Sequence, residues 1–366
     1  MANMNIRTPR FYIDRVNYLL NRGIGSSHFK IESTNASDNT VGMNAGFDNL
    51  ELFDMKPLNQ VTFDTNSSSA KRQDHVIISI DDRFGSRKTN FVAILNHNMH
   101  SANSKFKIVF DASTESHVQA ENFPDANRVQ ATQVFNGAVA DDSVNDADGN
   151  AHKIITPSAD GHTIITFDEI SARFIGIQFE GSRNSGDSGA GNYFDGSNDL
   201  AIGCILVGEF YDMPHSPDLA IKRSIKYDKQ KIQESLGGQR YSNITSFGRT
   251  LTSTGSKSPF HTYDDSSSGF PEVYGGRITY DMKFSYLSSD KIMPTTYNVA
   301  NQGDDTVVSD IWNLTHGNHT PFIFTQDGTS TSESDYLFAR FAQNSLDMTQ
   351  VAPDVFDISM KIEEEF

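Results

Sequence analysis

The residues best suited to chemistry fall into short polar clusters. Asn96, His97, Asn98 and His100, in the run LNHNMH, follow an apolar stretch, and loops that leave strands often carry function. Two imidazoles and two amides at that spacing suit sugar hydroxyls or a metal ion; the competing reading is that they tie the loop to its own backbone. Asp142, Asn145, Asp146 and Asp148 precede Gly149, and alternate side-chain oxygens around a sharp glycine turn suit Ca2+. The register of a calcium loop fails, however, because its first ligand position falls on Val144 and its twelfth on Ile155. A second acidic loop holds Asp187, Asp195 and Asp199. His316 and His319, in THGNHT, have metal-like spacing but no cysteine or adjacent carboxylate to complete a tetrahedral set.

Covalent or acid–base catalysis has little to build on. Cys204 is the single cysteine, so no intramolecular disulfide forms, and it sits in the apolar run AIGCILV, where a thiol is a small core residue. Gly186-Asp187-Ser188-Gly189 lacks the strand–turn–helix context of a nucleophile elbow. Neither a Walker loop nor a His-Glu-x-x-His helix occurs. Carboxylates are plentiful, but none is marked as a glycosidase pair. A binding or structural protein is expected, not an enzyme.

The elements that must position these residues read as strands. Residues 75–81, 90–96, 105–110, 162–167, 172–179 and 200–210 are apolar or alternating runs, separated by long polar stretches at 114–151 and 181–199. Six strands with such loops predict a β-sandwich. Pro214 and Pro217 mark a linker. Beyond it, Ile278, Tyr280, Met282, Phe284 and Tyr286 alternate strictly, as does 356–362 at the C-terminal end; 321–324 and 336–341 are further strands, and 309–314 a helical turn. At the start, Thr8 suits an N-cap, Pro9 a first helical turn and Gly23 a left-handed C′ position, which predicts an amphipathic arm, although 11–13 suits a strand equally well. The expected organisation is an arm and polar segment over 1–69, a sandwich over 70–213 and a second sandwich-like domain over 218–366. No repeat of fixed period argues for a solenoid or propeller.

Composition narrows the partners. The 366 residues carry 47 acids against 30 bases, a formal charge of −17, which repels phosphate backbones and disfavours nucleic acid. The apolar share is 37%, with 26 Phe and 12 Tyr against one Trp, suited to thin cores built from pleated strands. No apolar run approaches a membrane span, and no apolar segment follows the polar first ten residues. Synthesis in a cytoplasm and no membrane insertion are expected.

Residues 76–210 resemble a galactose-binding-like, discoidin-type sandwich. The likeness lies in the strand ending at Asp81, the phrase ILNHN over 94–98, the strand ending at Asp111, and IGCILVGE over 202–209. The chain as a whole resembles tail-associated structural proteins of marine tailed bacteriophages. It shares TPRFYIDRVNYLLNRG over 8–23, the Gly237-Gly238-Gln239 turn, the Pro321-Phe322 strand and an acid-rich final strand. The resemblance implies a virion component of the tail (adaptor, baseplate or fibre-anchoring subunit) that forms a ring or trimer with itself and contacts neighbouring tail proteins. It also implies a carbohydrate-binding-like domain, without implying a glycan ligand residue by residue; the alternative expectation is an adhesin that recognises host surface glycan. No catalytic signature travels with it.

Overall fold

The computed structural model describes residues 7–23, 28–32, 42–66, 76–81, 87–115, 129–142, 152–181, 183–184, 192–226, 230–244, 262–263, 273–274, 277–295, 305–332 and 335–365. The fold is all-β, built from antiparallel sheets with a few short helical turns. The chain divides into two units: residues 13–210 with 296–303, and residues 1–12 with 211–295 and 304–366.

The 13–210 unit is a sandwich. One sheet runs in the order Phe29–Glu32, Val76–Asp81, Phe174–Gly181, Ser104–Asp111, His152–Thr156, Ala138–Asp142. The facing sheet runs Cys204–Asp212, Arg87–His97, Gly161–Ala172, Ala131–Phe135, the first of these strands ending in the other unit. Val76–Asp81 and Phe174–Gly181 are buried along their whole length, because apolar residues on both faces leave no solvent side. Phe110 meets Phe167 of the opposite sheet with ring centroids 5.6 Å apart.

Two strands arise inside the expected polar loop 114–151. Ala131–Phe135 pairs with Gly161–Ala172, whereas Ala138–Asp142 pairs with His152–Thr156 of the other sheet. Asn136-Gly137 between them is therefore a corner, not a hairpin turn. Asn136 takes a positive φ of 53°, which asparagine tolerates. Its amide donates to the carbonyls of Ala159 (3.1 Å) and His162 (2.7 Å), pinning the corner to the start of Gly161–Ala172.

The 211–366 unit is a twisted antiparallel sheet in the order Lys222–Lys226, Arg277–Ser288, Val355–Glu364, Tyr336–Phe341, Phe322–Thr325, with Met348–Ala352 also pairing onto Val355–Glu364. Arg10, Phe11 and Tyr12 add to it by pairing with Thr325, Phe324 and Ile323. A π-turn, Val307–Trp312, covers one face, and Trp312 and Phe11 close an aromatic core with Phe322 and Phe341.

Two expectations change. The predicted helical arm is a strand, Arg10–Asp14, followed by a short helix, Val16–Asn21. Phe11, Tyr12 and Ile13 are all fully buried, and three consecutive apolar residues reach cover on both sides only when extended. Gly23 takes the expected left-handed conformation, with φ 88°. The alternation through Tyr286 also breaks. A bulge between Phe284 and Leu287 shifts the register, Leu287 takes the buried position, and Tyr286 turns out at φ 64° with 79% of its surface exposed.

Candidate functional site

The Asn96–His100 cluster is held by the end of Arg87–His97, where Asn96 leaves the strand at φ 50°. Asn96 donates its side chain to Pro57 O (2.7 Å), and its backbone N–H donates to His162 Nδ1 (3.1 Å). Asn98 donates to Asp199 O and accepts the N–H of Ala201, both at 2.7 Å. His97 is fully buried. The Thr163 hydroxyl donates to Asn136 O (3.1 Å), so it accepts at 2.8 Å from His97 Nε2, which must carry the proton. Nδ1 then accepts the Met99 N–H at 3.2 Å. Burial, then the neighbouring His162, holds the imidazole well below its ordinary pKa, so it is neutral. His100 alone of the four is exposed. The cluster is a clasp that closes the sandwich end, and its inward polar atoms face protein rather than solvent.

The acidic candidates behave similarly where they are described. Asp199 accepts the N–H groups of Thr65 and Asn66, and Asp195 accepts those of Ser197 and Asn198. Asp195 orders its own turn, and Asp199 ties the segment after Val61–Phe63 to its loop. Asp146, Asp148 and Asp187 lie outside the described residues, as does the side chain of Asp142, so the Ca2+ expectation has no geometry here. His316 and His319 are exposed and 6.4 Å apart between ring centroids, and no group of three metal-ligating side chains occurs among the described residues. Cys204 is buried, and burial followed by the charges of Asp14 and Asp54 pushes its thiol well above the ordinary value, which suits a core residue and not a nucleophile. Among the described residues no helix is long and apolar enough to cross a membrane.

Two features of the 211–366 unit escaped sequence reasoning. The first is a cleft of about 560 Å³ lined by Arg7, Thr8, Arg10, Asp212, Asp327 and the Gly328-Thr329 turn. Arg10 meets Asp212 in a two-bonded fork at 2.6 and 2.8 Å, and Arg7 meets Asp327 at 2.8 Å. Burial opposes the Arg10 charge, but the Asp212 bond more than restores it and the guanidinium stays firmly protonated. Burial also disfavours ionised Asp327; the hydrogen bonds from Thr329, then the charges of Arg7 and Arg10, outweigh this and hold its pKa below the ordinary value. The residues lie hundreds of positions apart, so only the Asp327-Gly328 turn was visible as a local signal.

The second feature is apolar exposure. Leu219, Ile225, Ile232, Leu236, Tyr241, Tyr286, Met348 and Val351 are large exposed hydrophobic residues, all in this unit; in the 13–210 unit the described residues include only Leu58. Leu219 precedes Lys222–Lys226, and the others sit on that strand, on the hairpin of Gln230–Glu234 and Arg240–Ile244, at the bulge, and on Met348–Ala352. Every residue of Met348–Ala352 is exposed.

No family model matches the chain, and no curated protein matches it. Among solved structures, a chitosan-binding module from a chitosanase/glucanase of Paenibacillus sp. IK-5 is similar over 50% of this chain and 96% of that one, at 13% identity and a TM-score of 0.29. A likeness at that level carries no weight on fold or function.

Proposed function

We propose that this chain is a structural component of a bacteriophage tail that acts by assembly rather than catalysis, associating with itself and with neighbouring tail proteins. The observation that supports it is the concentration of exposed apolar side chains on the edge strand, hairpin and bulge of the 211–366 unit. Single exposed apolar residues need no explanation, but eight in one unit against one among the described residues of the other is an uneven distribution that suits contact with a partner. Lys222 and Lys226 flank exposed Ile225 on an edge strand. Lysines discourage indiscriminate pairing there, while the isoleucine leaves the edge able to accept a matched partner. Asn96, His97, Asn98, Asp195 and Asp199 are committed to holding loops, which fits a scaffold. The resemblance to tail proteins points to closed ring or trimer symmetry.

The test is the mass of the purified protein by light scattering, with class averages from negative stain. A closed ring or trimer is expected. Replacing Ile225, Ile232 and Leu236 with Ser should return it to monomer with its circular dichroism unchanged. A wild-type monomer at tens of micromolar would count against assembly through this face.

Recognition of host glycan is the second reading, and the charged cleft is the observation that favours it.

A further inference from the structure

We propose that the cleft formed by Arg7, Arg10, Asp212, Asp327 and Thr329 binds a neutral sugar residue of an oligosaccharide. This places glycan contact in the 211–366 unit and not on the loops of the sandwich, and it rests on the second reading above.

The charge balance of the lining selects the class of ligand. Two guanidinium groups face two carboxylates of the lining, and Asp335 lies 4.0 Å from Arg7 beside them, so the site offers no unbalanced positive charge within a chain whose formal charge is −17. An anion arriving here meets arginines already neutralised by Asp212 and Asp327, and a cation meets carboxylates already neutralised by the arginines. Either would have to break a pair without gaining a better one. A polyhydroxylated neutral ligand breaks nothing, because each hydroxyl both donates and accepts.

The hydrogen-bonding capacity suits it. A carboxylate has room for about four bonds. Each oxygen of Asp212 takes one from Arg10, and Asp327 takes two from Thr329 and one from Arg7. The Asp212 and Arg7 side chains are 44% and 43% exposed, so both partly paired groups face the opening.

The walls are set before any ligand arrives. Gly328 N–H donates to Thr8 O, and Met213 N–H to Pro9 O, both at 3.0 Å, which joins the segments that carry the lining. Gly328 matters for a further reason. A Cβ there would lie 2.9 Å from Asp212 Oδ1 and 3.0 Å from Arg10 Nε, so the fork rests against bare backbone. The volume falls within the range of small-ligand sites, roughly 300–1,000 Å³.

The test uses the full chain on an array of neutral, sialylated and sulfated oligosaccharides, followed by calorimetric titration of the strongest neutral hit. Saturable binding to a neutral glycan is expected, weakened about tenfold or more in Gly328→Ala, where the new methyl displaces the fork. Asp327→Asn removes the nearer of the two carboxylates at Arg7, 2.8 Å away against 4.0 Å for Asp335, and should shift preference toward sialylated or sulfated glycans. Thermal melts of both variants establish that they fold; should Gly328→Ala not fold, the selectivity of Asp327→Asn carries the test. No binding to any glycan would overturn both the site and the glycan reading. Neutral-glycan binding that neither variant alters would overturn the site and leave the reading standing. A wild-type preference for anionic glycans would overturn the charge-balance argument and the site with it.

Discussion

At the scale of single residues, two buried ionisable groups pull stability in opposite directions with pH. His97 is neutral in the fold and held well below its ordinary value, mostly by burial, whereas in the unfolded chain it takes a proton near pH 6.5. The stability it contributes is complete above that value and lost as pH falls below it. Glu364 runs the other way. Burial pushes its carboxyl up to about 7, against the Ile278 N–H and the charges of Arg277 and Arg223. Its protonated form is the one the fold favours, so its contribution is complete below the ordinary carboxylate value and lost as pH rises through about 7. Glu364→Gln keeps an acceptor for the Ile278 N–H, which lies 2.8 Å from Oε2, and removes the charge. Thermal melts should show the variant more stable than wild type by a few degrees at pH 8, with the advantage gone by about pH 4.5. An equal difference at both pH values would refute the assignment.

At the scale of elements, what the sequence revealed was periodicity, and what it hid was pairing. Predominantly apolar runs such as Val76–Asp81 declared themselves, because a strand covered on both faces is rich in apolar residues without alternation. Ala131–Phe135 and Ala138–Asp142 did not, since polar residues along them made them look like loop. Lys222–Lys226 and Met348–Ala352 were hidden for a related reason. Strands exposed along their length carry no alternation to detect. The Asn96–His100 cluster was visible as residues, but its role depends on Thr163, Asn136 and Pro57, which only the sheet order brings near. The corner at Asn136 offers a direct measurement. Asn136→Ala removes two carbonyl anchors and places a β-carbon without compensation at φ 53°, and should cost about 2–4 kcal/mol in chemical denaturation. Asn136→Gly relieves the backbone and loses only the anchors, so its cost should be roughly 1 kcal/mol smaller. Equal losses would mean that the backbone conformation contributes nothing.

At the scale of the whole molecule, the chain enters the 211–366 unit first, leaves it at residue 12 for the sandwich, and returns at residue 211. The points of departure and return are neighbours: Met213 N–H is bonded to Pro9 O, and Arg10 to Asp212. Residues 13–210 are thus a long excursion of the chain whose flanking residues lie side by side within the 211–366 unit. Joining residue 12 to residue 211 through a short Gly/Ser linker should give a shortened chain with a single cooperative melting transition, as calorimetry would show; a chain that melts without cooperativity would contradict it. A frame of this kind lets its insert be exchanged without being rebuilt. Residues 13–210 could then be replaced without touching the bonds that join Pro9 to Met213 and Arg10 to Asp212.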